Sequence, residues 1–233
     1  LFEKCVKRQP ASSVMLQVQY RMHKTIMGFS NEEFYHNQLQ AHLSVEQHLL
    51  DADPQNPALS KPMEFVDTAG CGLQEQQRPE TLSKFNEGEA DLLLKHLNQL
   101  FHTIYYTRKD LLTEQFSAGV ISPYNAQVVL LKEKLLQHEE LRDFAEFIKI
   151  NSVDGFQGQE RDVIYISLVR SNDKGKIGFL SDIRRMNVAL TRARKKLVVF
   201  GDSATLGNNE FYARFLDYAE KQQAWSSAWQ WMG

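Results

Sequence analysis

The sequence has few cysteines, no long apolar run and no excess of basic charge. Its two cysteines, Cys5 and Cys71, stand far apart and match no zinc-binding spacing, so we expect free thiols in a reducing compartment. No apolar run reaches the length of a membrane span, and the first residues lack the apolar core of a signal peptide. These absences predict a cytoplasmic protein.

The charge balance excludes a protein that binds nucleic acid through bulk electrostatic attraction. Lys plus Arg is 27 and Asp plus Glu is 29, which gives a net charge of -2, whereas such binders are normally basic. Any contact with nucleic acid must then be local. A hydrophobic content of 42% is enough for a buried core, and 233 residues fit one large domain.

Two motifs of nucleotide-binding enzymes are also missing. The sequence contains no G-x-x-x-x-G-K-[ST] phosphate loop and no Asp-Glu pair after an apolar strand to hold Mg²⁺. The histidines are scattered without convincing metal-ligand context, so no metal site is predicted. The sequence begins with Leu1 rather than methionine, and we therefore expect an excised fragment.

Short apolar runs alternate with helical patterns, which predicts an α/β fold with a mostly parallel central sheet flanked by helices. The runs VIYI and LVVF are typical of strands buried on both faces of such a sheet. Strands are predicted at Leu16–Tyr20, Glu64–Thr68, Gly119–Ser122, Phe147–Val153, Asp162–Val169 and Leu197–Gly201. Helices are predicted near Lys24–Tyr35, Glu87–Phe101, Asn125–Leu136, Asp182–Ala193 and Asn209–Ala219. Ligands of such sheets bind beyond the carboxyl ends of the strands, so the candidate residues should collect along one edge.

Three segments concentrate polar residues near predicted strand ends. QYRMH presents Arg21 just before a helix, where a cation gains little from the helix dipole and an anionic partner is favoured. SPYNAQ joins a strand to a helix, and Tyr124 there could stack on a base. NSVDGFQGQERD crowds polar groups around two glycines, and Glu160 could accept a hydrogen bond from a ribose hydroxyl. Taken alone, Arg21 is better explained as a surface arginine at a helix start, and SPYNAQ as an ordinary strand–turn–helix junction. The third segment contains more polar groups than a plain turn needs.

A fourth segment, RRMNVALTRAR, contains four arginines. On a continuous helix Arg185 and Arg192 share one side, beside an apolar stripe that can pack on a core, while Arg194 points elsewhere. The alternative is an amphipathic helix with solvated arginines. The helix geometry favours two arginines that are rigidly aimed beside a buried face.

Together, and in this order, LQVQYRMH, VISPYNAQ, INSVDGFQGQERDVIYISLVRS and RRMNVALTRARKKLVVFGD resemble the C-terminal RecA-like motor domain of superfamily 1 helicases. Within that superfamily they are similar to the branch of the nonsense-mediated-decay helicase and the immunoglobulin-mu-binding-protein helicase. The resemblance runs from about Leu16 to Ala204. It implies a RecA-like fold without its own phosphate loop, because in this family that loop lies in the preceding domain.

Residues 1–233 would then form the second motor domain of an ATP-dependent helicase or translocase. The N-terminal RecA-like domain is absent from this chain, so we expect the isolated chain to be inactive. ATP and Mg²⁺ would be held mainly by that missing domain, which would be one partner. The other partner would be single-stranded DNA or RNA, and the sequence does not distinguish the two.

The resemblance also implies roles for individual residues. Arg21 and Arg192 match the arginines that reach the ATP γ-phosphate, and Glu160 matches a nucleotide-ribose contact. Gln157 and Gly158 match the segment that couples nucleotide to nucleic acid. The segments that face the single strand contain Ser122, Pro123, Tyr124, Ser152 and Asp154. Arg185 is added to the residues near the nucleotide only because it would share a helix face with Arg192.

Two other functions stay open at this point. The chain could be a nucleic-acid-binding module without turnover, or a protein-interaction domain on the same scaffold. The sequence upstream of this chain discriminates between them. A phosphate loop and a Mg²⁺-binding acidic pair there favour the enzyme, and their absence favours binding alone.

Overall fold

A computed structural model of the chain describes Arg8 and residues 14–232. The strands in this part of the chain are β1 (Val18–Gln19), β2 (Gln40–Ala41), β3 (Met63–Asp67), β4 (Gln76–Gln77), β5 (Lys84–Phe85), β6 (Ala118–Ser122), β7 (Ile148–Ser152), β8 (Arg161–Ser167), β9 (Ala193–Gly201) and β10 (Trp225–Ser227). The α-helices are α1 (Lys24–Phe34), α2 (Pro57–Ser60), α3 (Glu87–Thr107), α4 (Asn125–Gln137), α5 (Ile183–Leu190), α6 (Ser203–Leu206) and α7 (Glu210–Lys221).

The central sheet has six strands in the order β10-β3-β9-β8-β6-β7, and every neighbouring pair is parallel. β8 and β9 lie in the middle, and their runs VIYI and LVVF are buried throughout. The predicted α/β fold with a parallel sheet is confirmed. Two smaller two-stranded sheets, β1 with β2 and β4 with β5, lie outside the central sheet.

The sheet divides the hydrophobic core into two clusters because successive side chains of a strand point to opposite faces. In β8, Ile164 and Ile166 belong to the cluster that contains α1, α5 and α7. Val163 and Tyr165 belong to the opposite cluster, with α3 and α4. Both faces of the sheet are therefore covered by helices. No helix in the described residues combines the length and apolar character needed to cross a membrane.

The C-terminal part of the arginine-rich segment differs from the prediction. The helix predicted to reach Ala193 ends at Leu190, where Thr191 turns its hydroxyl back to the carbonyl of Asn187 at 2.8 Å. Ala193 already begins β9. Arg192 therefore lies in the turn between helix and strand, and it does not share a helical face with Arg185.

Two strand predictions also need correction. The run predicted as a strand at Leu16–Tyr20 forms only the two-residue β1, which pairs with β2 instead of joining the central sheet. The edge strand β10, of sequence WSS, was not predicted because three residues are too few to show the alternation of apolar and polar residues that marks a strand. It is held by parallel pairing to β3, a contact between segments far apart in the chain.

The connection from β7 to β8, residues 153–160, crosses the sheet from one edge to the other. Both strands run parallel to β6, which lies between them, so this loop starts at the carboxyl edge and ends at the amino edge. Phe156 anchors the crossing and is fully buried. Gly119 of β6 provides the space, since a Cβ there would lie 2.8 Å from the Phe156 ring.

A buried polar network ties α3 and α4 to the end of β8. Glu89 Oε1 accepts hydrogen bonds from Ser167 Oγ at 2.5 Å and from the backbone N–H of Val169 at 2.9 Å. Gln127 Nε2 donates to Ser167 Oγ at 3.0 Å, and its Oε1 accepts from the Asn86 N–H at 2.8 Å. Burial raises the pKa of Glu89 to about 7, because desolvation penalises the ionised carboxylate.

The raised pKa of Glu89 predicts a pH-dependent stability difference between the protein and Glu89→Gln. In the unfolded chain this glutamate ionises with its ordinary pKa of 4.5, whereas in the fold it stays protonated to about 7. The folded state therefore loses stability as pH rises from 4.5 through 7, by about 3 kcal/mol for a shift of this size. Glutamine cannot ionise, so the variant should gain stability relative to the parent between pH 5 and pH 8. Denaturant unfolding at both pH values measures this gain.

The matched control is Glu114→Gln, which neutralises an exposed glutamate. Its stability relative to the parent should change little over the same pH range. An equal pH response of the two variants, or a Glu89→Gln difference that does not vary with pH, would contradict the role assigned to Glu89.

Candidate nucleotide and nucleic-acid sites

Arg21 and Glu160 meet at the amino end of β8. Arg21 Nε donates to Glu160 Oε2 at 2.5 Å, and Arg21 Nη1 donates to the Thr191 carbonyl at 3.3 Å. The local fold positions this arginine: Gln19 Oε1 accepts the N–H groups of Arg21 and Met22 at 2.8 and 2.7 Å. The turn QYRMH thus presents Arg21 toward residues that come more than a hundred positions later in the chain.

Arg192 lies beside this pair. Its Nε donates to the Val188 carbonyl at 3.0 Å, and its Nη1 donates to the Gln159 carbonyl at 3.4 Å. Burial lowers the pKa of Arg192, and the positive charge of Arg21 lowers it further, whereas Glu160 raises it. The structure therefore brings together Arg21, Arg192 and Glu160, as their predicted roles require.

The cluster carries more positive than negative charge. It contains four cationic side chains and two carboxylates: Arg21, Arg192, Arg194, Lys195, Glu160 and Asp162. Within this group of six residues, the cations outnumber the carboxylates by two. We call this group the amino-edge cluster. An excess of cations at a partly exposed position is the electrostatic environment that binds an anion.

Arg194 does not point away from this cluster as the helix projection predicted. Its Nη2 lies 2.9 Å from Asp162 Oδ2 and its Nη1 lies 3.7 Å from Glu160 Oε1. The prediction was wrong because the helix ends before this residue. Asp162 is buried, and Arg194 is one of the two cations, with Lys195, that pair with its carboxylate.

Arg185 lies with a different group of residues. Its Nη2 lies 2.5 Å from Asp154 Oδ2, just beyond the carboxyl end of β7. α5 returns from the carboxyl edge to the amino edge, so its first turn and Arg192 stand at opposite edges of the sheet. The helix-facing argument that grouped Arg185 with Arg192 was therefore wrong.

The expectation that all candidates share one edge was also wrong. The amino-edge cluster stands at the start of β8 and β9, whereas Ser122 and Ser152 end β6 and β7. Gln157 and Gly158 lie between these edges on the crossover loop, and both are exposed. Gly158 has a φ of 78°, a left-handed conformation that favours glycine in this turn, and no protein atom lies close to it.

Two residues predicted to face a single strand are buried. Ser122 is fully buried, and its Oγ accepts the N–H of Tyr124 at 3.4 Å. Tyr124 is 2% exposed, with its hydroxyl donating to the Ile177 carbonyl at 3.2 Å and accepting from Arg170 Nη1 at 3.3 Å. The base-stacking prediction for Tyr124 was wrong, because its ring has no free face.

Pro123, Ser152 and Asp154 remain accessible. Pro123 is half-buried and lines a surface cleft, while Ser152 Oγ accepts the Gly155 N–H at 3.4 Å. Asp154 is exposed and held by Arg185. These side chains stand at the carboxyl edge, where a polymer could contact them.

Phe179 is a candidate that the sequence patterns did not single out. Its ring is 64% exposed and lies 5.6 Å from the ring of Tyr124, centroid to centroid. It forms one wall of the cleft of about 700 Å³ that Pro123, Val129 and Arg78 also line. The only signal in the sequence was an isolated aromatic residue within the polar segment SNDKGKIGFLSD. Phe179 offers the free aromatic face that Tyr124 lacks.

The thiols and metal-binding groups add little to these sites. Cys71 is a free, buried cysteine, while Cys5 lies outside the described residues. Over the part of the chain that the structure describes, no group of three or more His, Cys, Asp or Glu side chains is arranged to hold a metal ion.

Comparison with known proteins gives extended matches. DNA-binding protein SMUBP-2 of Mesocricetus auratus is 42% identical over 223 residues, covering 94% of this chain and 21% of the hamster protein. DNA polymerase alpha-associated DNA helicase A of Saccharomyces cerevisiae is 39% identical over 235 residues, covering 95% of this chain and 33% of the yeast protein. Helicase sen1 of Schizosaccharomyces pombe is 32% identical over 222 residues, covering 94% of this chain and 12% of that helicase.

The chain thus spans a third or less of the length of these three relatives. Proteins named as helicases align with nearly all of it, which confirms the helicase resemblance that the four motifs indicated. The AAA domain family matches residues 1–204, which include both candidate sites. By this match, and by its parallel α/β sheet, the chain belongs to the AAA domain family.

Proposed function

We propose that this chain is the C-terminal motor half of an ATP-dependent helicase or translocase that acts on single-stranded nucleic acid. One observation carries the proposal: Arg21 and Arg192, from opposite ends of the chain, meet at one edge of the sheet with positive charge in excess. The named helicases among the relatives support it. The residues 1–233 would act as a single motor domain.

The amino-edge cluster fits the phosphate end of a nucleotide. The side chains of Arg21 and Glu160 are 38% and 41% exposed, so the pair is accessible at the surface. Arginine stays protonated, and its planar fork matches phosphate oxygens. ATP would supply the phosphoanhydride that is cleaved, with Mg²⁺ held mainly by the N-terminal RecA-like domain. Arg21 and Arg192 would stabilise negative charge on the γ-phosphate, and Glu160 would contact the ribose.

The N-terminal RecA-like domain would contact the amino edge and complete the site. If one domain holds ATP and the other supplies the arginines that contact its γ-phosphate, hydrolysis depends on closure of the two domains. The crossover loop 153–160 then connects that closure to the carboxyl edge, since Glu160 and Asp154 stand at its two ends. Gln157 and Gly158 occupy the middle of this connection.

The carboxyl edge would face the single strand. Ser152, Asp154 and Arg185 lie together there, with the cleft of Pro123 and Phe179 on the same edge. Phe179 would stack on a base, and the other residues would contact the backbone. Either DNA or RNA fits this chemistry. The free thiol of Cys71 supports a reducing, cytoplasmic environment.

The first test is Arg192→Ala in the full-length protein that contains this chain. An arginine that contacts the γ-phosphate acts mainly on the charge that develops in the transition state. ATP turnover should therefore fall by about 10³, while nucleotide affinity changes far less. Steady-state hydrolysis at saturating single strand measures the turnover. The control Arg214→Ala removes an exposed arginine that pairs with Glu33, away from the amino-edge cluster, and it should retain turnover. Near-normal turnover of Arg192→Ala, or loss explained by a lower melting temperature, would sink the assignment.

The second test combines the two arginines. Arg21→Ala should reduce turnover like Arg192→Ala, because both side chains would serve the same phosphate. The double variant should lose less than the sum of the two losses in activation free energy, as groups that act as a unit do. Turnover of the four proteins, compared in a double-mutant cycle, gives this coupling. Strict additivity would mean that the two guanidinium groups act on separate steps.

The third test concerns the carboxyl edge. Phe179→Ala should weaken single-strand binding by about 1–3 kcal/mol, the usual contribution of base stacking. The control Tyr124→Phe keeps the buried ring and removes only its hydroxyl contacts, so it should bind nearly as the parent does. Anisotropy of a labelled oligonucleotide, titrated at low and rising salt, measures both variants. The binding should fade with salt. If only Tyr124→Phe weakens binding, Phe179 is not the stacking residue.

A further inference from the structure

A cleft of about 360 Å³ shares no residue with the two candidate sites. It lies between the last turns of α3 and the segment before β7. Six residues line it: His102, Tyr105, Tyr106, Glu140, Asp143 and Phe144. We call it the aromatic cleft. Neither the amino-edge cluster nor the carboxyl edge accounts for its combination of rings and carboxylates.

The aromatic cleft presents exposed rings on a rigid base. Tyr106 is 77% exposed and Tyr105 is 41% exposed, with their ring centroids 5.3 Å apart. Phe144 lies 6.2 Å from Tyr105 and stacks at 5.0 Å on the fully buried Phe101. Phe144 is thus held by the buried core, and Tyr106 makes edge contacts with Tyr105 and His102 that leave its ring accessible to a ligand.

The aromatic cleft is acidic. Two of the described residues that line it, Glu140 and Asp143, carry carboxylates. Glu140 Oε2 accepts a hydrogen bond from Asn98 Nδ2 at 2.6 Å and lies 3.4 Å from His102 Nε2, so this carboxylate is fixed. The Asp143 side chain is exposed and makes no ion pair or hydrogen bond within the described part of the chain. A phosphate backbone would be repelled here, whereas a cation would be attracted.

One intramolecular contact shows that these rings accept a cation. Lys109 Nζ stands 4.6 Å from the centroid of the Tyr105 ring, within the range of a cation–π interaction. The ring of Tyr106 has no such cation over it among the described residues. The aromatic cleft therefore has an open ring face next to two carboxylates.

We propose that the aromatic cleft binds an arginine side chain of a protein partner. A guanidinium combines a plane that stacks on an aromatic ring with forked N–H groups that donate to carboxylates, and the cleft lining contains Tyr106, Asp143 and Glu140. A lysine ammonium is a compact charge without a planar face, so it cannot stack on the ring and donate forked N–H groups to the carboxylates as a guanidinium does. The two carboxylates of the lining favour a cationic ligand over a phosphate backbone.

The test uses hexa-arginine and hexa-lysine peptides, titrated into the 233-residue chain by calorimetry. Hexa-arginine should bind more tightly than hexa-lysine. Tyr106→Ala should weaken hexa-arginine binding about fivefold or more, while Tyr106→Phe should retain it, because the ring face is kept. The control Trp229→Ala removes another exposed aromatic ring and should leave the affinity unchanged.

Charge variants separate a specific contact from general attraction. The double variant Glu140→Gln, Asp143→Asn should weaken hexa-arginine binding about tenfold. The control Asp217→Asn, Glu220→Gln makes the same change in net charge on exposed residues of α7 and should weaken it by less than about twofold. Equal losses in both double variants, equal binding of the two peptides, or full affinity of Tyr106→Ala would overturn the proposal. Absence of hexa-arginine binding would overturn it as well.

Discussion

Parallel pairing of β8 with both β6 and β9 is the constraint on which the two candidate sites depend. Parallel strands of one sheet cannot be joined by a tight hairpin, so each connection must travel from the carboxyl edge back to the amino edge. The segments NSVDGFQGQERD and RRMNVALTRAR are such connections. Each connection therefore places one charged residue at each edge. Asp154 and Arg185 lie at the carboxyl edge, and Glu160 and Arg192 lie at the amino edge.

This arrangement links the two edges in a physically direct way. Arg185 pairs with Asp154 at one edge, and Arg192 contacts the Gln159 carbonyl at the other, so the two connections touch at both ends. Phe156 fixes the first connection against the sheet at its middle. Two segments, rather than one, therefore connect the carboxyl edge to the amino edge. In the motor that we propose, these edges would carry nucleotide and strand respectively.

The network around Glu89 ties α3 and α4 to the carboxyl end of β8, at a cost in intrinsic stability. A fully buried carboxyl with one oxygen unpartnered is unfavourable by itself. It accepts the N–H of Val169, a β-branched residue with a φ of 70°, which few non-glycine residues adopt. The network thus holds the chain in a strained conformation directly before Arg170 and the loop that leads to Phe179. Strain of this kind persists only where the surroundings over-determine it.

The sequence by itself determined the fold class and the position of most elements. The continuous apolar runs VIYI and LVVF suited strands covered on both faces, and α3, α4 and α7 begin at the predicted residue or one residue after it. The motif residues Arg21, Arg192 and Glu160 were also identified, since their resemblance to a family does not depend on knowing where they lie. Their proximity agrees with that identification, although their chemical roles stay predictions.

Only the tertiary structure decided which residues are accessible and which edge each one occupies. Tyr124 looked like a stacking platform because sequence shows residue type and not burial, and its ring is covered by residues that lie far along the chain. Phe179 went unnoticed for the same reason. Arg185 and Arg192 were assigned to one face because a helical projection assumes that the helix continues. The helix ends at Leu190 because β9 must begin where pairing with β8 requires it, a long-range contact that no local pattern contains.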